Sequence, residues 1–150
     1  MRTVQTLCKV GACEPCQADL SGSMTGASTS IDAIQRSAAW IVRDFGSPSV
    51  RIGGDGTNAF ASHFSTGNYV LSVTDTLDRV LFAPSPSAPM GGTFDLAINV
   101  QRTREGADPA DRTFDVAAKI DFTGGDNATL LLDGTESFSL TLSTGAVARL

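Results

Sequence analysis

Three cysteines near the start of the chain have the greatest potential for chemistry. Cys8, Cys13 and Cys16 have the spacing C-x4-C-x2-C. Two thiolates separated by two residues can bind one ion across a tight turn, and a third from just upstream supplies another corner of a tetrahedral zinc site. The spacing therefore makes a metal site one possible interpretation of these cysteines. Its fourth ligand is open between Asp19, His63 and a residue of a partner protein.

The stretch from Cys8 to Cys16 resembles the cluster-binding loop of plant-type [2Fe–2S] ferredoxins. The resemblance implies that all three cysteines bind iron, with a fourth cysteine downstream. This chain has three cysteines in total, so a cluster would need a different fourth ligand or one from another subunit. The alternatives are reduced thiols, or one disulfide and a free thiol. We expect no cofactor, with zinc or an iron–sulfur cluster as the alternatives.

His63 is the only histidine, and hydroxyl side chains stand near it at Ser62, Ser65 and Thr66. Asp55 lies eight residues earlier. A Ser-His-Asp site is recognised by geometry, which sequence neighbours do not establish. The G-x-S-x-G turn that presents a nucleophile is also missing from the sequence. We therefore expect His63 to be structural or exposed, and we predict no catalytic residues.

Two further segments have side chains suited to cations. Residues 53–60 resemble one G-G-x-G-x-D calcium repeat with Asn58 in place of the aspartate. Such repeats bind calcium in stacks, so we interpret these residues as a glycine-rich loop between strands. Glu105, Asp108 and Asp111 could bind calcium at a hairpin tip, although a solvated loop is the expected structure.

Composition and charge limit the class of protein. The 150 residues suit one domain, with 41% hydrophobic and 18% charged side chains. The net charge is −5 and the isoelectric point about 4.6. Positive charges are scattered, with one loose group at Arg102, Arg104 and Arg112. Nucleic acids and anionic membranes require clustered positive charge, so we expect neither as a partner.

Targeting signals are absent from the sequence as it stands. The first residues lack the apolar stretch of a secretory signal. The longest apolar run, Ala38 to Val42, is far shorter than the ~20 residues of a membrane helix. We therefore expect a protein of the cytoplasm or of a virion.

The hydrophobic pattern predicts three regions. Residues 1–29, rich in small side chains, are predicted to form an extended N-terminal arm that carries the cysteines. Residues 30–150 are predicted to form a single β-rich domain. Within it, near-helical spacing of apolar residues predicts a helix over 30–45, capped by Thr29 or Ser30 and ended by Gly46 and Pro48.

From residue 48 onward the apolar residues alternate, which indicates strands with one face on a core. The clearest alternation runs from Phe94 to Val100, from Phe114 to Phe122 and from Phe138 to Leu142. Three prolines between Pro84 and Pro89 indicate a connection between two sheets. The predicted fold is an antiparallel β-sandwich or barrel-like domain of seven to nine strands. The less regular strands are expected at residues 50–52, 69–74, 77–82, 129–132 and 146–150.

These features favour a non-enzymatic structural protein of a large assembly, namely a capsid, decoration or tail component of a viral or phage virion. Its partners would be copies of itself and other assembly proteins. Two alternatives stay open: a β-sandwich module that binds a protein or ligand, and a small metal protein that uses Cys8, Cys13 and Cys16.

Overall fold

The computed structural model describes residues 2–7, 16–28, 31–45, 49–64, 67–83, 88–104 and 111–150. These residues form ten strands in one antiparallel sheet, and the order of the strands in the sheet is their order in the sequence. The strands are β1 (Arg2–Leu7), β2 (Cys16–Ser28), β3 (Ile31–Phe45), β4 (Val50–Phe64), β5 (Gly67–Phe82), β6 (Pro89–Thr103), β7 (Arg112–Phe122), β8 (Asn127–Leu132), β9 (Glu136–Thr141) and β10 (Ala146–Arg149).

The alternating segments form strands as predicted. Phe94 to Val100 lies in β6 and Phe114 to Phe122 in β7, and the two strands pair from Thr93 opposite Asp121 to Arg102 opposite Arg112. The predicted strands at 69–74 and 77–82 are two parts of the single strand β5. The predominantly β, antiparallel class is thus confirmed.

The predicted helix over 30–45 is wrong. Residues 31–45 form β3, which pairs with β2 on one side and β4 on the other. The segment contains three Ile, one Val and one Trp, residue types that favour strands, and pairing along both edges outweighs the helical spacing of its apolar residues. The described residues contain no helix, so none in this part of the chain is long and apolar enough to cross a membrane.

The structure also differs from three other predictions made from the sequence. The described parts of residues 1–29 lie in the sheet as β1 and β2, which pair with each other, and do not form a separate arm. Residues 53–60, expected in a loop, lie inside β4. The proline segment connects two neighbouring strands of one sheet, because β5 ends at Phe82 and β6 begins at Pro89, its pairing partner.

The predicted sandwich or barrel-like enclosure is absent from the described residues, which form one open layer. Every extensive contact between strands joins two sequence neighbours, so no described strand packs across the face of another. The strands β2 to β6 are 13 to 16 residues long, longer than is usual in globular domains. The sheet therefore has two broad faces.

Candidate functional site

The two faces of the sheet differ in chemistry. Because side chains alternate along a strand, paired residues share a face. The face that we call the apolar face is formed by every second residue from β2 to β10. One member from each strand between β3 and β8 identifies it: Val42, Phe60, Leu71, Ile98, Val116 and Leu130. The opposite, polar face is identified by Ser37, Thr57, Thr74, Asn99, Asp115 and Thr129.

The apolar face is only half-buried. The buried apolar residues among those described are two valines and three alanines: Ala18, Val42, Val80, Ala118 and Ala128. Larger side chains on this face stay in contact with solvent, and Met24 and Phe114 are 57% and 51% exposed. A sheet normally buries such a face against a second layer. The exposed apolar face is therefore the leading candidate for a functional surface.

One carboxylate is buried within the apolar face. Asp75 of β5 is 5% exposed, and Asn58 Nδ2 donates a hydrogen bond to its Oδ1 at 3.0 Å. Gly56, directly opposite on β4, leaves the space that the carboxylate fills. A Cβ atom at Gly56 would lie 2.6 Å from both oxygens of Asp75. A buried charge needs such hydrogen bonding, because its transfer from water is costly.

Among the described residues, three buried polar atoms on the apolar face have no hydrogen-bond partner. They are Trp40 Nε1, Ser62 Oγ and Arg102 Nε. The guanidinium of Arg102 lies 5.7 Å from the ring centre of Tyr69, and that of Arg36 lies 5.9 Å from the ring centre of Trp40. This face therefore carries hydrogen-bond donors and positive charge within an otherwise apolar surface.

The polar face is covered by hydroxyl, amide and carboxylate groups that bond across strands. Thr76 donates to Asp55 at 2.7 Å and Asn99 donates to Asp115 at 2.6 Å. Between β5 and β7 this face has an open trough of about 340 Å³, whose floor includes Ala97 and Ala117. Its rim includes Thr74, Thr76, Asp95 and Lys119. Such a trough could hold a small ligand.

His63 has a partner that is distant in sequence, Asp32. Its Nδ1 lies 2.6 Å from Oδ1 of Asp32, on the neighbouring strand β3, and both side chains are largely exposed. The pairing of β3 with β4 brings the two residues together. The predicted helix over 30–45 did not include this pairing, so it did not place Asp32 beside His63. Ser62 projects to the opposite face from His63, and Asp55 is eight positions along the same strand, about 26 Å away. The Ser-His-Asp set considered from sequence is therefore not assembled.

The structure separates some of the predicted metal ligands. Cys8 and Cys13 lie outside the described residues, whereas Cys16 is the first residue of β2 and pairs with Phe45. His63 is at the other end of the long strands, about 45 Å from Cys16. His63 is thus wrong as a fourth ligand in one chain.

The remaining ligand predictions are untested. Asp19 follows Cys16 by three positions on β2 and stays a candidate fourth ligand. Among the described residues, no three His, Cys, Asp or Glu side chains form a metal-binding group. The zinc or iron–sulfur site at Cys8, Cys13 and Cys16 stays a prediction. Of the acidic residues considered for calcium, Glu105 and Asp108 lie outside the described residues.

The chain matches no protein-family model, and neither curated proteins nor solved structures yielded a match.

Proposed function

We propose that this chain is a non-enzymatic structural component of a large assembly, in which a neighbouring subunit covers the apolar face. The supporting observation is that this face has no second layer in the described part of the chain. A lone amphipathic sheet exposes apolar surface to water, and covering that surface is the main favourable term in protein association.

The surface area of the whole chain supports the same proposal. The accessible surface is 9978 Å². A compact monomer of this mass, 15.6 kDa, would expose about 7,200 Å². The excess is about 2,700 Å², and a standard protein interface covers about 800 Å² of each partner.

A virion is the assembly that we propose, on the basis of composition. Only 18% of the side chains are charged, and many of the others are small and neutral. Side chains of this kind suit a subunit that packs against neighbours on several surfaces. The polar face, with its hydroxyl and carboxylate groups, would be the surface in contact with water.

A binding module is the second candidate, favoured by the trough on the polar face. Thr74, Thr76, Asp95 and Lys119 around its rim offer hydrogen-bond donors and acceptors above the floor of Ala97 and Ala117. This function requires a well-behaved monomer, whereas the assembly function does not.

Native mass spectrometry and a dye-binding assay on the purified chain separate these candidates. We expect oligomers, or a chain that aggregates and binds an apolar-surface dye such as ANS when it has no partner. A stable monomer that binds no dye would contradict the assembly proposal and favour the binding module. The same spectra report any bound zinc or iron–sulfur mass.

A further inference from the structure

We infer that the occupant of the apolar face is a second copy of this chain, packed face to face in a two-fold symmetric dimer. The two sheets would then form the two layers of a sandwich, about 10 Å apart. This inference rests on the proposed function and names the partner that the assembly proposal leaves open. The polar faces would point outward on both sides of the dimer.

The area available matches what a stable dimer requires. A one-layer sheet divides the excess of about 2,700 Å² per chain between its two faces, so the apolar face accounts for about 1,350 Å² per chain and about 2,700 Å² over two copies, within the range of obligate homodimer interfaces. Such interfaces resemble a protein core cut in half, with apolar side chains that interdigitate. The half-buried side chains of Phe60, Leu71, Ile98 and Val116 have this character.

The charges on the apolar face favour a second copy over a wholly apolar occupant. Within the described residues, neither Asp75 nor Arg102 has an ion-pair partner. Arg102 pairs with Tyr69 of β5, six positions from Asp75, which places the two charges about 20 Å apart along the strands.

A two-fold axis halfway between these two charges would bring Asp75 of each copy towards Arg102 of the other. An apolar lipid surface would leave both charges buried without a counter-charge, which is costly. In an isologous dimer, the same face supplies both the charge and its partner.

The test compares two substitutions on the apolar face with a matched substitution on the polar face. Met24→Glu and Phe114→Glu place a charge on the apolar face, at positions 57% and 51% exposed in one chain. Val70→Glu is the control, because Val70 is 45% exposed and lies on the polar face of β5. All three side chains are exposed, so their replacement should leave the fold of one chain intact.

Sedimentation velocity over a range of micromolar concentrations measures the dimer, and circular dichroism verifies the strand content of each variant. We expect a wild-type dimer whose Kd rises about 30-fold or more in each apolar-face variant, and a control with unchanged Kd. A dimer weakened by Val70→Glu alone would overturn the face-to-face arrangement.

The remaining outcomes distinguish this inference from the proposed function. A folded monomer that binds ANS would overturn the second copy as occupant, while the assembly proposal would stand with a different subunit on the face. If ANS binding falls in Phe114→Glu, the exposed surface is confirmed as the apolar face. A folded monomer that binds no ANS would overturn both.

Discussion

At the scale of single residues, the structure places a glycine, which has no side chain, opposite a buried carboxylate. Gly56 and Asp75 are directly opposite each other on the apolar face, and the carboxylate occupies the volume that a Cβ would need. Asn58, two positions along β4, donates the hydrogen bond that keeps the carboxylate in place. Gly56 is therefore explained by a close contact inside the sheet.

Gly56→Ala should lower the free energy of unfolding by about 2 kcal/mol, because the new methyl group collides with the Asp75 carboxylate. In a chain that already carries Asp75→Ala, the same substitution should cost much less. Urea unfolding, followed by the fluorescence of the single tryptophan, Trp40, measures all four members of this cycle.

Gly26→Ala is the control for this cycle, because a Cβ at Gly26, also on the apolar face, would meet no atom within 4 Å. Its effect should be small. Equal losses from Gly56→Ala with and without Asp75 would mean that the collision is not the cause, and that the loss comes from the backbone of β4.

Ser62→Ala should raise the free energy of unfolding by about 1 kcal/mol. Ser62 is 1% exposed, and its hydroxyl has lost water without gaining a protein partner. Thermal and urea unfolding measure the change. The control is Ser37→Ala, which removes an exposed hydrogen bond to Thr57 and should destabilise slightly. A loss of stability in Ser62→Ala would show that this hydroxyl has a partner in solution.

At the scale of elements, β3 offers the sharpest test of the architecture. Gln35 is exposed on the polar face, between Thr25 and Ala59. Threonine suits a strand and alanine a helix, so Gln35→Thr should be more stable than Gln35→Ala, within the ~1 kcal/mol range of strand propensities. The reverse order, measured by urea unfolding, would support the helix predicted from the sequence.

The contrast between β3 and β7 shows why part of the fold was predictable and part was not. In β7 the apolar residues from Phe114 to Phe122 recur at every second position, so the sequence pattern predicts the strand that forms. In β3, Ile34, Ala38 and Ile41 match a helical stripe, although Ile41 projects to the polar face of the sheet. The pairing partners that decide this case come from β2 and β4, and local sequence does not identify them.

The candidate site was less predictable than the strands, because it is a property of the sheet as a whole. The alternation predicted that each strand has one apolar face, which is confirmed. It did not predict that the faces join into a single uncovered layer, because a second layer would produce the same pattern. The contacts of Asp75 with Asn58 and of His63 with Asp32 depend on strand register, which single residues do not specify.

At the scale of the molecule, the predicted sandwich and the observed single sheet have the same physical requirement, which is that the apolar face must be covered. An apolar face of this extent needs a second layer, and the described part of one chain supplies only one. With strands up to 16 residues long, the face is large enough for another sheet to cover it. A sandwich formed by two chains satisfies the prediction without a change in the strand order of either chain.

If folding and dimerisation are coupled in this way, the melting temperature must depend on protein concentration. Unfolding that releases two chains from one dimer is opposed by mass action, so a 100-fold increase in concentration should raise Tm by about 4 °C for two chains of this length. Differential scanning calorimetry at two concentrations measures the shift.

The Phe114→Glu variant supplies the comparison, because a dissociated chain should melt at a Tm independent of concentration. A wild-type Tm that is also independent of concentration would mean that one chain folds with its apolar face exposed. The second copy would then contribute nothing to stability, and the face would have to be covered by a different subunit after folding.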